Sequence, residues 1–403
     1  MMGNKARNQR GAVSLFIVIF SALLITTITV AFIRIMIQDQ AQATTNDLSK
    51  SALDSAQAGV EDAKRAIVTY RAHCTTAAES GTTECVNLAR ALTDGTRCDT
   101  MQQAGIAGIP GDSEVLIKQS EGDVALQQAY TCVKVQLNTT DYVGSVTPNT
   151  SRLIPLKASG SFNEVTVEWY SQQDLQSALA GDPSNSNTKV DLGLDSSLPK
   201  QADWPKNRPA LIRAQLLQFG DSFQLSDFDK NQNDKTNNAS LFLVPSSVGR
   251  DTVSFSDDVR QSHTSDTLEQ VRCDQNFSAT SVDSQYACKV TIQLPNPIGA
   301  DNGNNRHAYL RINELYNTNT SFRVTMSDGT NPVTFSAVQP IVDSTGRAND
   351  LFRRVRSRVE LDGSSVPSAE AAVDITGSLC KTFLVTDQAA DYTAGGCQDN
   401  SAP

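Results

Sequence analysis

The residues best spaced to hold a metal ion lie in the stretch DFDKNQNDKTNNAS. Asp229, Asn231 and Asn233 alternate along it, as the first three oxygen ligands of a calcium-binding loop do. The match then ends, because Asp234 stands where such a loop needs glycine and Ser240 where it needs a bidentate glutamate. The sequence therefore favours a solvated loop and leaves these three residues as a weak calcium candidate.

No other set of side chains predicts catalysis. The chain contains no H-E-x-x-H, G-x-S-x-G or P-loop sequence, the patterns that position a metal, a nucleophile or a phosphate. The three histidines, His73, His263 and His307, are scattered along the sequence and form no ligand pattern. We therefore expect a protein that is not an enzyme and that needs no cofactor.

The eight cysteines all follow an apolar segment near the start of the chain. Their number is even and no two form a C-x-x-C knuckle, which favours disulfides made outside the cytoplasm over a metal centre. The simplest pairing joins neighbours in the sequence: Cys74–Cys85, Cys98–Cys132, Cys273–Cys288 and Cys380–Cys397. The order of the cysteines leaves roughly 100 other connectivities open.

The charge of the chain argues against one class of partner. Aspartate and glutamate exceed lysine and arginine by 44 to 34, and no basic patch with interleaved aromatic residues is present. A nucleic-acid groove needs clustered basic residues, so we expect no nucleic-acid partner. The 403 residues, of which 39% are apolar, are enough for two or three domains with hydrophobic cores.

The apolar segment near the start follows a short basic leader. Ala12–Ile33 contains no charged residue, and as a helix rising about 1.5 Å per residue it would be about 33 Å long, enough to cross a bilayer. Lys5, Arg7 and Arg10 precede it without any acidic residue, which places the amino terminus in the cytoplasm and the body of the chain outside. The sequence thus predicts a single-pass membrane protein.

A cleaved secretion signal is the alternative interpretation of this segment. Ala41 and Ala43 offer an A-x-A cleavage site, but the apolar stretch is longer than the roughly 7–15 residues of such signals. Apolar residues also continue at helical spacing beyond it: Ala41, Leu48, Ala52, Ala56, Val60, Ala63 and Ile67. One helix from about Val13 to about Thr69 accounts for both parts of the pattern.

The basic leader and the long helix together resemble the start of a known family of proteins. The basic leader ending in Arg10 and Gly11, followed at once by a long apolar helix that continues as an alanine-rich amphipathic one, resembles type IV pilins and type II secretion pseudopilins. The stretch SALDSAQAGVEDAKRAI is similar to the segment after the membrane helix in the large PilX-like or GspK-like minor members. The resemblance reaches to about Tyr70 and, more loosely, includes a disulfide loop near the carboxyl terminus.

The resemblance implies that the chain is an assembly subunit. A prepilin peptidase would cut between Gly11 and Ala12, and the helix would then leave the membrane and pack against other pilin subunits in a filament. The residues expected at that packing surface are Phe16, Leu48, Ala52, Ala56 and Val60.

The chain departs from the family at the start of the mature sequence. Most pilins have phenylalanine first and glutamate fifth, whereas Ala12 and Phe16 stand there. In the family this glutamate neutralises the terminal amine of the subunit added before it, since an unpaired ion in hydrocarbon is costly. A subunit with nothing above it needs no such carboxylate. Phe16 and the large outer region therefore favour a subunit that primes assembly and stays at the tip.

The remainder of the chain is predicted to form short antiparallel strands. Runs such as AYTCVKVQL and EVTVEWY have the composition of strands, and clusters such as SDGTNP and DSTGRAND indicate turns. The predicted fold class is α+β, with a long amino-terminal helix that carries disulfide-stapled antiparallel sheets. The predicted divisions are a leader at 1–11, a helix at 12–70, a cysteine-containing α/β domain at 71–180, a proline-rich linker at 181–209 and a β-rich domain at 210–403.

These features predict a minor pilin or pseudopilin-like subunit of a type IV pilus or related filament. It would prime assembly and present an adhesive domain outside the cell to a host or surface ligand. The alternative is a bitopic surface protein whose β-rich ectodomain binds a ligand without assembling, because an apolar helix by itself does not distinguish an assembly subunit from a plain anchor.

Overall fold

A computed structural model describes residues 10–74, 80–105, 114–117, 128–148, 150–180, 189–193, 199–220, 238–254, 268–277, 285–299, 306–316 and 319–360. It has a long amino-terminal apolar helix followed by β-sheets and disulfides, in agreement with the α+β class. The helices are α1 (Arg10–His73), α2 (Thr83–Asp94), α3 (Thr100–Gln103) and α4 (Gln172–Leu179). The strands are β1 (Val115–Leu116), β2 (Ala129–Gln136), β3 (Tyr142–Val146), β4 (Ser151–Pro155), β5 (Phe162–Ser171), β6 (Leu211–Gly220), β7 (Asn238–Ser246), β8 (Thr252–Ser254), β9 (Glu269–Arg272), β10 (Tyr286–Ile298), β11 (Arg306–Tyr316), β12 (Thr320–Ser327), β13 (Pro332–Val333), β14 (Ile341–Ala348) and β15 (Leu351–Arg358).

The described chain divides into two compact units. The stem unit comprises the described residues up to Val135 together with Val342–Ser357, and the inserted unit comprises Gln136–Ile341 and the described residues after Ser357. The inserted unit thus interrupts the sequence of the stem unit between β2 and β14.

The boundary predicted at 181–209 does not separate these units. The described part of that stretch belongs to the inserted unit, where Val190, Leu192 and Trp204 are buried. Its prolines indicated a linker, but the apolar side chains among them are buried in a folded unit, and burying such side chains is what holds a segment in place.

The stem unit packs the second half of α1 against a four-stranded sheet of order β1-β2-β14-β15. A Cβ atom on Gly346 would collide with the carbonyl oxygen of Ala52 and the amide nitrogen of Ala56, and would lie 2.9 Å from the Ala56 Cα. A Cβ atom on Gly59 would lie 3.0 Å from Val133 Cγ2. Glycine at these two points lets the helix backbone come unusually close to the sheet.

A side-chain hydrogen bond also joins β2 to α1. The Tyr130 hydroxyl donates to Asp62 Oδ2 at 2.8 Å, and burial, followed by this hydrogen bond, raises the pKa of the hydroxyl. We expect Tyr130→Phe to lower the free energy of unfolding of the stem unit by about 1 kcal/mol, because the buried ring stays and one hydrogen bond is lost. Hydrogen exchange of the β2 amides measures this, and unchanged exchange would show that the bond contributes nothing.

The inserted unit contains two sheets around one apolar core. The six-stranded sheet has the order β13-β12-β5-β10-β8 with β3 also on β12, and the five-stranded sheet has the order β4-β11-β6-β7-β9. Strands of both sheets contribute to the same buried cluster, and Trp169 Nε1 donates to the Ala210 carbonyl at 2.9 Å. The antiparallel prediction holds for most pairs, but β8 pairs with β10, and β9 with β7, in parallel.

Disulfides join Cys74 to Cys85 and Cys98 to Cys132 in the stem unit, and Cys273 to Cys288 in the inserted unit. These are three of the pairs that the order of the cysteines predicts. The fourth, Cys380–Cys397, lies outside the described residues. Each bridge stabilises its unit largely by restricting the unfolded chain.

Candidate membrane and assembly site

The first half of α1 exposes its apolar side chains on every face. From Leu15 to Ile37 every large apolar residue is exposed, with Phe16 at 75%. Within the described residues, α1 is the one helix long and apolar enough to cross a membrane, and none of its apolar window is buried. An apolar surface of this size marks a region that lipid or another protein covers.

The polar groups within this apolar half are satisfied by the helix itself. The hydroxyls of Thr26, Thr27 and Thr29 donate to backbone carbonyls one turn earlier, at 2.9, 2.8 and 2.7 Å. Because these donors need no water, the threonines are compatible with an apolar environment.

The exposed half of α1 gives way to a half-buried one at Leu48. Beyond this point α1 has a buried face made largely of small residues, with Ala52 and Ala56 at 0% exposure and Val60 at 6%. The helix therefore has two structurally distinct parts. The first part has an uncovered apolar surface, and the second part packs against the sheet of the stem unit.

This arrangement corrects part of the predicted packing surface. Ala52, Ala56 and Val60 are buried within this chain and so present no surface to another subunit, whereas Phe16 stays exposed and Leu48 is half-buried. The helical spacing indicated a buried face correctly, but that spacing does not reveal whether the covering surface belongs to the same chain.

The other predicted site residues are only partly covered by the structure. Gly11 and Ala12, at the predicted cleavage site, lie at the start of α1. The weak calcium candidate of Asp229, Asn231 and Asn233 lies outside the described residues. In the part of the chain that is described, no group of three or more His, Cys, Asp or Glu side chains could hold a metal.

The inserted unit contains a cleft that the sequence did not reveal. It measures about 510 Å³ and lies over the polar face of β12, β5 and β10, between Thr140–Asp141 and the turn at Gly329–Pro332. At its floor Arg323 Nε donates to Glu168 Oε2 at 2.5 Å, which raises the pKa of Arg323, and Lys289 Nζ is 3.8 Å from Glu168 Oε1. The alternation of polar residues along β5 and β12 was the available signal, but it also describes any sheet with one solvated face.

Comparison of the chain with protein-family models, with curated proteins and with solved structures finds no match.

Proposed function

We propose that this chain is a minor pilin or pseudopilin-like subunit. The membrane would hold it through the apolar half of α1 until it is transferred into a type IV pilus or related filament. The observation that supports this proposal is the division of one helix into an apolar half with no cover and a half fixed to a folded sheet.

The physical basis is the similarity of the two environments that can cover the apolar half. Lipid tails and the apolar faces of neighbouring helices make similar contacts, so a subunit can exchange one for the other at little cost. The continuity of α1 matters as well, because its 64 residues include both the apolar half and the sheet-bound half without a break. Fixing the helix among neighbours would then fix the stem unit.

The basic leader would keep the amino terminus in the cytoplasm and place both units outside, by the positive-inside rule. Phe16, where a carboxylate would otherwise pair with a neighbour's amine, suits a subunit at the tip. The inserted unit would present a binding surface there, and the chain would act without catalysis.

A bitopic surface protein is the second candidate, because the apolar half of α1 has the length and composition of a plain membrane anchor. Such a protein would use the same helix only as an anchor and bind its ligand at the cell surface. The two candidates differ in where the mature chain is found.

Shearing of intact cells distinguishes the two candidates. We expect epitope-labelled chain in the sheared filament fraction, with label at filament ends. Ile25→Lys should abolish this recovery, because a lysine at mid-membrane costs roughly 2.5–3.5 kcal/mol. Thr26→Val is the matched control and should be recovered normally, since the Thr26 hydroxyl bonds only within the helix. Surface-exposed chain that stays wholly with the membrane after shearing would support the bitopic protein instead.

A further inference from the structure

The polar face of the six-stranded sheet is an ordered array of hydrogen-bonding groups. On β5, Val165, Val167 and Trp169 are buried in the core, so Thr166 and Glu168 point to the opposite face. Strand register aligns the polar residues of this face in three rows: Arg323, Glu168 and Lys289; Thr325, Thr166, Thr291 and Thr252; Ser327, Glu164, Gln293 and Ser254. All eleven positions in these rows are polar.

The charged groups of the cleft already have partners of opposite charge. Glu168 is paired with Arg323 and lies near Lys289, and Asp141 Oδ1 accepts from Arg358 Nη2 at 2.7 Å. A charged ligand would have to compete with these pairs, so the cleft does not select strongly for an anion or a cation. The larger apolar residues of the described lining are Met326 and Pro332, and Met326 is only 1% exposed, so the cleft offers an apolar ligand little to contact.

What the cleft offers in quantity is hydroxyl groups. Thr166 Oγ1 is 2.9 Å from Thr291 Oγ1, and among the described residues the hydroxyls of Thr140, Thr325 and Thr330 have no protein partner. Each hydroxyl can donate one hydrogen bond and accept others. A ligand that matches them must itself present several groups that both donate and accept.

We propose that this cleft is a binding site for a neutral saccharide. A sugar presents several hydroxyls on a small, uncharged framework, which matches the four threonines that line the cleft and the paired charges beside them. The proposal deepens the proposed function, because it gives the inserted unit a ligand class, and it rests on that function for display of the cleft outside the cell.

The test uses the full-length chain in detergent micelles on an array of immobilised hexoses, N-acetylhexosamines and their oligomers. Titration calorimetry with the retained sugar then gives the affinity. Thr166→Val and Thr325→Val keep the shape of the side chain and remove one hydroxyl, so each should weaken binding about tenfold. Thr252→Val is the matched control, because Thr252 lies in the same row but outside the lining of the cleft, and its affinity should equal that of the unsubstituted chain.

Two results would overturn the proposal. One is no retention of any neutral saccharide up to millimolar concentration by chain whose thermal unfolding is normal. The other is saccharide binding that Thr166→Val and Thr325→Val leave unchanged. Neither result depends on filament assembly, so a failure here leaves the shearing experiment, and with it the proposed function, to be judged separately.

Discussion

Gly346→Ala should detach α1 from the sheet of the stem unit. The added methyl group would collide with backbone atoms of Ala52 and Ala56, which cannot rotate away as a side chain could. Overfilling a packed interface usually costs 1–3 kcal/mol, and we expect a loss of about 3 kcal/mol in the free energy of unfolding of the stem unit. Exchange of its buried amides should then be roughly 100-fold faster.

Hydrogen exchange with mass spectrometry follows this effect in β14 and in α1 beyond Leu48. Gly81→Ala is the matched control in the same unit, because a Cβ atom on Gly81 would meet nothing within 4 Å. The chain has two tryptophans, Trp169 and Trp204, and both lie in the inserted unit, so unchanged tryptophan emission would show that this unit stays folded. Normal exchange in Gly346→Ala would contradict the close helix-to-sheet contact.

The inserted unit should lose stability as the pH rises from about 4.5 to about 8, and Glu314 should be the main cause. Glu314 is only 4% exposed, and neither of its carboxyl oxygens has a hydrogen-bond partner in the described structure. Burial, followed by the negative charge of Asp174, raises the pKa of Glu314 from 4.5 to about 8. Asp174 itself accepts from the backbone amides of Ser171 and Ser321.

The loss of stability with rising pH follows from the number of protons that the folded and the unfolded chain each bind at Glu314. Below pH 4.5 both the folded and the unfolded chain hold the proton, so the site adds no pH dependence. Between 4.5 and 8 the unfolded chain releases it while the folded unit keeps it, which lowers stability by about 1.4 kcal/mol per pH unit. Above pH 8 both forms are ionised and the loss levels off.

Two variants separate the charge of Glu314 from its shape. Glu314→Gln keeps the shape and cannot ionise, and Glu314→Leu also removes the unpaired polar atoms. Both should abolish the slope between pH 4.5 and 8, and at pH 8 the leucine variant should be roughly 4 kcal/mol more stable than the unsubstituted chain. Denaturant unfolding followed by tryptophan emission measures this, and equal slopes for the original chain and Glu314→Gln would contradict it.

Local patterns in the sequence predicted the elements that depend on nearby residues. The apolar and alanine spacing predicted α1 from about Val13 to about Thr69, and the structure has it from Arg10 to His73. The run EVTVEWY lies within β5, because alternation along a strand reflects burial of one face. Within the described residues three pairs of neighbouring cysteines are joined as predicted, and short loops close at the least entropic cost.

Local sequence patterns did not predict the contacts between residues that are far apart along the chain. The cluster DSTGRAND indicated a turn, yet its first six residues belong to β14, where Gly346 is required by contact with α1 rather than by a turn. The pairing of β2 with β14 across the inserted unit also has no local signal. For the same reason the helical spacing of Ala52 and Ala56 could not show that their partner is this chain's own sheet.

We propose above that the apolar half of α1 is an assembly device that the mature protein keeps. Intact-mass analysis of chain purified from membranes of cells with and without prepilin peptidase tests it most directly. We expect a chain beginning at Ala12 that appears only when the peptidase is present. A chain beginning at Met1 in both cells would make α1 an ordinary anchor, and one beginning at Thr44 would make it a discarded signal; either result would rule out the proposed assembly role.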